Sequence, residues 1–302
     1  MAGFRNVSAL VDSFDNGKSW ISTFRKQPAA SATIAGHWFD YSYAAGNPIP
    51  NYYASSPLVA DVLDEKKGII IPRMSGDDKQ FIHRITAMTA AAGATTTTSQ
   101  NQSLMLLDYL LYYPFIDMDA AGEDQAMDNT ITLPRYADGV GVQMMVISQA
   151  PTIGGGRFTI TYVDSDDNPQ TTVSMYCAAA QPAGAGVQAV NAAGGLTPFV
   201  PLNAGSKGVK SVTSCNFSVA NGGLCAIVLV KVLETHYLME ESRRTTTGTI
   251  ESFGDATEKE AMRLRGGITE IKDGAFLGFY GQGSAGSIAS SVLVGTLETV
   301  WG

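Results

Sequence analysis

The sequence predicts a mostly β protein, an antiparallel β-sandwich of jelly-roll-like form, from three observations. Glycine is abundant, at 32 of 302 residues, among many other small residues and turn signals. Several segments alternate apolar and polar residues over strand lengths, with polar or Gly-rich turns between them. The Glu/Lys/Leu tracts of helical proteins are missing. An N-terminal extended arm and a few short helices complete the expectation.

Residues 1–27 place Val7, Leu10, Val11 and Phe14 at helical spacing, and then Trp20, Ile21 and Phe24. This spacing predicts two short helices about the Asn16-Gly17 turn, with a hairpin as the competitor. Residues 28–61 show no steady period. Pro48 and Pro50 forbid a regular helix or a central strand there. The same stretch concentrates Trp38, Phe39, Tyr41, Tyr43, Tyr52 and Tyr53. An extended arm fits, with Trp38, Phe39, Tyr41, Tyr52 and Tyr53 as interface anchors on another surface. A long connection covering the chain's own core is the plainer alternative. The expected organisation is a helical segment and arm over 1–65 and a sandwich body over 66–302.

Within the body, residues 68–74 read as a strand or sheet edge, 80–89 as strand or helix, and 90–102 as a polar loop. Residues 104–113 form the densest apolar run, which suits a strand buried on both faces or a helix segment. Pro114 is expected to stop it. Residues 140–148 predict a strand. Residues 157–163 and 171–176 alternate cleanly about a polar turn and predict a hairpin. Residues 178–208 are rich in Ala, Gly and Pro and read as a long loop with room for one edge strand. Residues 209–219 and 224–237 predict a second hairpin about Asn221-Gly222-Gly223. Thr257 and Glu260 resemble a capping box, predicting a helix over 257–264, and residues 290–301 predict a terminal strand.

Charge and cysteine usage exclude several function classes. The net charge is −8 and only 16% of residues are charged. No Lys/Arg cluster is present to neutralise phosphates, which argues against nucleic acid. No apolar run approaches the ~20 residues that span a bilayer, and residues 1–17 lack the layout of a signal peptide. A chain made in a cytoplasm is expected. Cys177, Cys215 and Cys225 are an odd set without CxxC spacing, so free buried thiols are expected. A Cys215–Cys225 disulfide across a hairpin is the alternative.

The nearest approach to a motif is acidic. Asp117, Asp119, Glu123, Asp124 and Asp128 crowd into twelve residues, and their spacing resembles a calcium loop. Ala121 stands at a ligand position, Asp128 replaces the longer Glu, and Pro134 removes the exiting helix. Asp117 and Asp119 are therefore expected to face a basic neighbour at an interface. His37, His83 and His236 are far apart, without zinc spacing. Residues 154–157 are no phosphate loop, and residues 282–286 miss the nucleophile elbow at its first glycine. Glu240, Glu241 and Glu251 have no spacing that fixes a glycosidase pair. The expectation is no enzyme, no cofactor and no metal. Apolar surplus with little catalytic equipment suits a protein whose interfaces are its function.

Three strings carry a family likeness: NVSALVDSFDNGKSWISTFRK, LLDYLLYYPFIDMDAAGEDQAMDNT and DGAFLGFYGQGSAGSIASSVLVGTLETVWG. They resemble a family of tailed-bacteriophage virion structural proteins. The resemblance implies a capsid decoration (cement) protein with a jelly-roll or sandwich body, often trimeric. Its implied partners are itself and the major capsid protein. Its implied place is the phage head, after assembly in the host cytoplasm. A major capsid protein is an alternative, although no long spine helix is predicted; a tail or adaptor protein is another. From a different class, a carbohydrate-binding module would stack sugar on Tyr52 and Tyr53.

Overall fold

The computed structural model describes residues 4, 6–28, 36–91, 102–191, 194–238, 240–244, 250–254, 257–260, 268–283 and 291–302. The chain starts with α1 (Val7–Asp15), whose cap is Asn6: its side chain accepts from the Ala9 N–H at 2.8 Å. After the Asn16-Gly17 turn comes β1 (Ser19–Gln27), where a second helix was expected. The apolar residues 20, 21 and 24 are too few to settle the period, and an available ladder partner settles it as strand.

Short strands follow: β2 (Trp38–Asp40), β3 (Ala45–Asn47) and β4 (Asp61–Val62), then a 3-10 turn at Glu65–Lys67. Residues 68–74 form no strand. The long strands β5 (Gln80–Ala91) and β6 (Gln102–Asp117) come next. Then follow β7 (Asp124–Ala126), β8 (Val142–Ser148), β9 (Arg157–Asp164), β10 (Pro169–Thr171) and β11 (Met175–Cys177). The predicted hairpin is present as β9 and β10, and β11 returns to β9. β12 (Gln188–Asn191) and β13 (Gly194–Leu196) occupy the expected loop, ahead of β14 (Val209–Phe217) and β15 (Leu224–Leu238). The remaining strands are β16 (Glu240–Arg244), β17 (Ile250–Gly254), β18 (Thr257–Glu260), β19 (Glu270–Ile271), β20 (Phe276–Gly283) and β21 (Ser291–Trp301).

These strands make three antiparallel sheets. The central one runs β2-β20-β6-β15-β8, with β4 on β6. A second runs β13-β12-β11-β9-β14-β7 and a third β16-β17-β5-β21-β1-β3. The central sheet is covered on both faces. Cys225, Ile227 and Leu229 of β15 pack with Phe158, Ile160, Cys215 and Phe217 of the second sheet. Ala226, Val228 and Val230 face the other way, toward Trp38, Tyr53 and Leu63. Leu104 and Leu106 meet Phe24, Ile85 and Leu297 of the third sheet. Two buried faces explain why β6 and β15 read as continuous apolar runs rather than alternating ones. The three cysteines are free and buried, and burial pushes all three thiols upward in pKa.

Several expectations are corrected. Pro114 does not end β6: the strand continues through a register shift against β15 and ends at Asp117. A bulge tolerates a residue without a donor. Asn221-Gly222-Gly223 does not close a hairpin. β14 pairs with β9 and β7, while β15 pairs with β6 and β8, so this turn carries the chain between sheets. Thr257–Glu260 is strand paired with β5, not helix; residues 261–264, and the polar stretch 92–101, lie outside the described residues. The segment 1–65 is not apart from the body, because β1 pairs with β21 and β2 with β20.

Candidate functional site

The aromatic stretch expected as an arm is held in the chain's own core. Phe39, Tyr41 and Tyr53 are fully buried, and Trp38 nearly so, stacked on Tyr280 at 5.2 Å between centroids. Only Tyr52 of the five proposed anchors is exposed, at 52%. The correction has a physical cause. The central sheet has an apolar face that needs cover, and these rings supply it. A sugar platform built from Tyr52 and Tyr53 together is excluded by the same burial.

A polar cluster locks this segment down. Asp40 is fully buried at the end of β2. Its carboxylate accepts from the Tyr109 hydroxyl at 2.7 Å, from Ser42 Oγ at 2.8 Å, from the Ser42 N–H at 2.8 Å, and from Tyr53. Burial pushes Asp40 up in pKa, and these donors pull it partly back. Lys26, inward-facing on β1 and only 4% exposed, reaches the same loop. Its ammonium donates to the carbonyls of Ala44 at 3.1 Å, and of Ser42 and Ile49 at 3.5 Å. Burial lowers its pKa to about 8, and the nearby Asp40 partly offsets that fall. Lys26 therefore ties residues 42–49 to β1.

The loop so held borders a cleft. It lies along β1 and is lined by residues 20–23, Asn47, Pro48 and Ile70, with a volume of about 280 Å³. No lining residue is charged. β3 covers β1 only at Arg25, Lys26 and Gln27, so the edge beside residues 19–23 has no strand partner among the described residues. Pro48 ends β3 without a donor to offer. Gly46, at φ 136°, lets β3 approach the Arg25 carbonyl more closely than a Cβ would permit. Asn47 Nδ2 donates to the Thr23 carbonyl at 3.2 Å, and Ser22 Oγ donates to the Ile70 carbonyl. Trp20, Ile21, Ile49 and Ile70 stand exposed around the cleft. None of these residues, nor Lys26 or Asp40, was read from sequence as part of a site. Reading 19–27 as a strand would have flagged Lys26, since Ser22, Phe24 and Lys26 share one face.

The acidic turn is a different kind of feature. Asp117 and Asp119 are exposed and spend their oxygens on backbone. Asp117 accepts from the Asp119 N–H at 2.9 Å, and Asp119 accepts from the Gly222 N–H at 2.7 Å. Gln125 bonds both the N–H and the carbonyl of Asp117. Asp124 accepts from Asn216 at 2.9 Å. Among the described residues no three His, Cys, Asp or Glu side chains are placed to hold a metal ion. Neither Asp117 nor Asp119 has a described Lys or Arg at ion-pair distance. The histidines do not converge: His37 bonds Gln181 at 2.8 Å, and His83 bonds Glu298 at 3.0 Å.

Set against known proteins, the chain matches no family model, no curated protein and no solved structure.

Proposed function

We propose that this chain is a non-enzymatic structural protein of a phage virion, a capsid decoration protein that assembles through subunit interfaces. The observation that carries the reading is the uncharged cleft, with Trp20, Ile21 and Ile70 exposed around it, on a strand edge that has no partner among the described residues and is held in shape by Lys26 and the Asp40 cluster. Monomeric proteins rarely leave such a strip uncovered, and sheet edges are normally paired, shortened or charged. The three strings of family likeness point the same way. The partners are other copies of the chain and the major capsid protein; the location is the phage head, reached after assembly in the host cytoplasm. The alternative of a major capsid protein fits less well, because the described residues hold one α-helix, of nine residues, in place of a long spine. Electron microscopy of purified virions, with the chain labelled, tests the reading. Many copies spread over the head surface are expected. A small ring at one vertex would make it an adaptor, and absence from virions would overturn the proposal.

A further inference from the structure

The free edge of β1 has a geometry that selects its occupant. The Trp301 N–H donates to the Lys18 carbonyl at 3.1 Å, which sets the alternation of the β1–β21 ladder. Lys18, Trp20 and Ser22 turn their backbone groups toward β21. Ser19, Ile21 and Thr23 turn theirs outward. The Thr23 carbonyl is already taken by Asn47. Ser19 and Ile21 thus present their N–H and C=O groups to the open side, with no backbone partner there among the described residues.

We propose that two copies of this chain join antiparallel through these edges, about a two-fold axis at Trp20. This rests on the reading of the chain as an assembling structural protein and names the partner surface. In that register Ser19 of each copy faces Ile21 of the other, and the two pairs exchange four backbone hydrogen bonds. All four outward groups of each copy are satisfied, and Thr23 is not needed. Trp20 faces Trp20 as a non-hydrogen-bonded pair, the arrangement in which side chains come closest. Ile70 lies beside it in each copy. Thr23, crowded by Asn47, falls opposite Gly17 of the other copy. Gly17 has no side chain, and the space where one would project is empty. A one-residue slip would lose this fit and turn bonded groups away from their partners.

Charge favours the same occupant. A chain of net charge −8 repels its own copies. The cleft, however, carries no charge, so this face meets itself without a like-charge contact. The axis is two-fold, in contrast to the three-fold that the family likeness implies.

Cross-linking and solution mass test the pairing on the full chain. Trp20→Cys should form an intermolecular disulfide when diamide takes two electrons and two protons from the facing thiols. Thr23→Cys should not, and the native cysteines are buried. By light scattering the wild type should be a dimer. Ile21→Pro removes one outward N–H and leaves the β21 ladder intact, so it should weaken the dimer about tenfold or more with little change in melting temperature. A wild type that is monomeric at all concentrations overturns the proposal. So does cross-linking of Trp20→Cys no faster than that of Thr23→Cys. If the chain proves monomeric yet decorates phage heads, the pairing falls and the structural reading stands. If it dimerises through Trp20 but is absent from virions, the reverse holds.

Discussion

Two buried aspartates, Asp108 of β6 and Asp40 bonded to the next β6 residue Tyr109, are treated differently by the protein. Asp108 points to one side of the strand and meets a cation. Arg135 donates to it twice, Nε to Oδ2 at 2.9 Å and Nη2 to Oδ1 at 2.7 Å. The same guanidinium donates to the carbonyls of Gly274 at 2.8 Å and Tyr109 at 3.0 Å, so it also ties the loop before β20 to β6. Tyr109 points to the other side and donates to Asp40, which receives hydroxyls and an amide in place of a guanidinium. Burial pushes both carboxyls up; for Asp108 the Arg135 bonds limit the rise to about 6. Burial alone does not set what a carboxylate does. Its partners decide whether it is half of an ion pair or the hub of a hydroxyl cluster.

Removing one partner from the ion pair is the harshest break in this comparison. Arg135→Met should cost about 3–5 kcal/mol at pH 7, because Asp108 is left buried without its counter-ion and must take up a proton to stay there. The pH dependence has a definite sign. A raised carboxyl pKa contributes stability that is full below the unfolded value, near 4, and is lost as pH rises through about 6. Without Arg135 the Asp108 pKa climbs further, so the variant should recover much of its deficit toward pH 4. Urea melts at pH 4 and pH 7 read this directly, and a deficit equal at both would show that the pair is not what Arg135 contributes.

Asp40→Asn sharpens the contrast with a smaller expected loss. The amide keeps one acceptor but turns donors toward hydroxyls that already donate, costing about 1–3 kcal/mol. A loss as large as that of Arg135→Met would mean that Asp40 needs its full charge. The smallest effects separate two adjacent tyrosines. Tyr53→Phe should cost about 1 kcal/mol by losing its bond to Asp40, whereas Tyr52→Phe, in the exposed position, should stay within about 0.5 kcal/mol. Thermal melts of the pair test whether the segment 36–53 is held from inside, as its burial states, or is free to leave as an arm.

The same contrast shows what could be read before folding. The aromatic stretch was recognisable by composition, and its need for burial was correctly inferred. Its destination was not, because rings seeking cover look alike whether the cover is the chain's own sheet or another subunit. Asp40, Lys26 and the Asp108–Arg135 pair carry no local signature. Apart from Ser42, two residues from Asp40, their partners lie at least 13 residues away, and only sheet pairing brings them together. The strip at Trp20 was misread for a related reason. Three apolar residues fit a helical period, and the strand partner that overrules it is at the opposite end of the chain.

Sequence alone determined the β class, the antiparallel habit and most long strands, because alternation, glycine turns and doubly buried apolar runs are local consequences of strand geometry. It also determined that the acidic stretch lacks a complete calcium loop. Tertiary structure decided which strands became neighbours, that Asn221-Gly222-Gly223 crosses between sheets, and that residues 257–260 are strand. It decided as well that the aromatic segment turns inward and that, among the described residues, one edge of β1 has no partner over residues 19–23. Those outcomes depend on which distant segment supplies a hydrogen-bond partner or an apolar face, and no window along the chain contains that information.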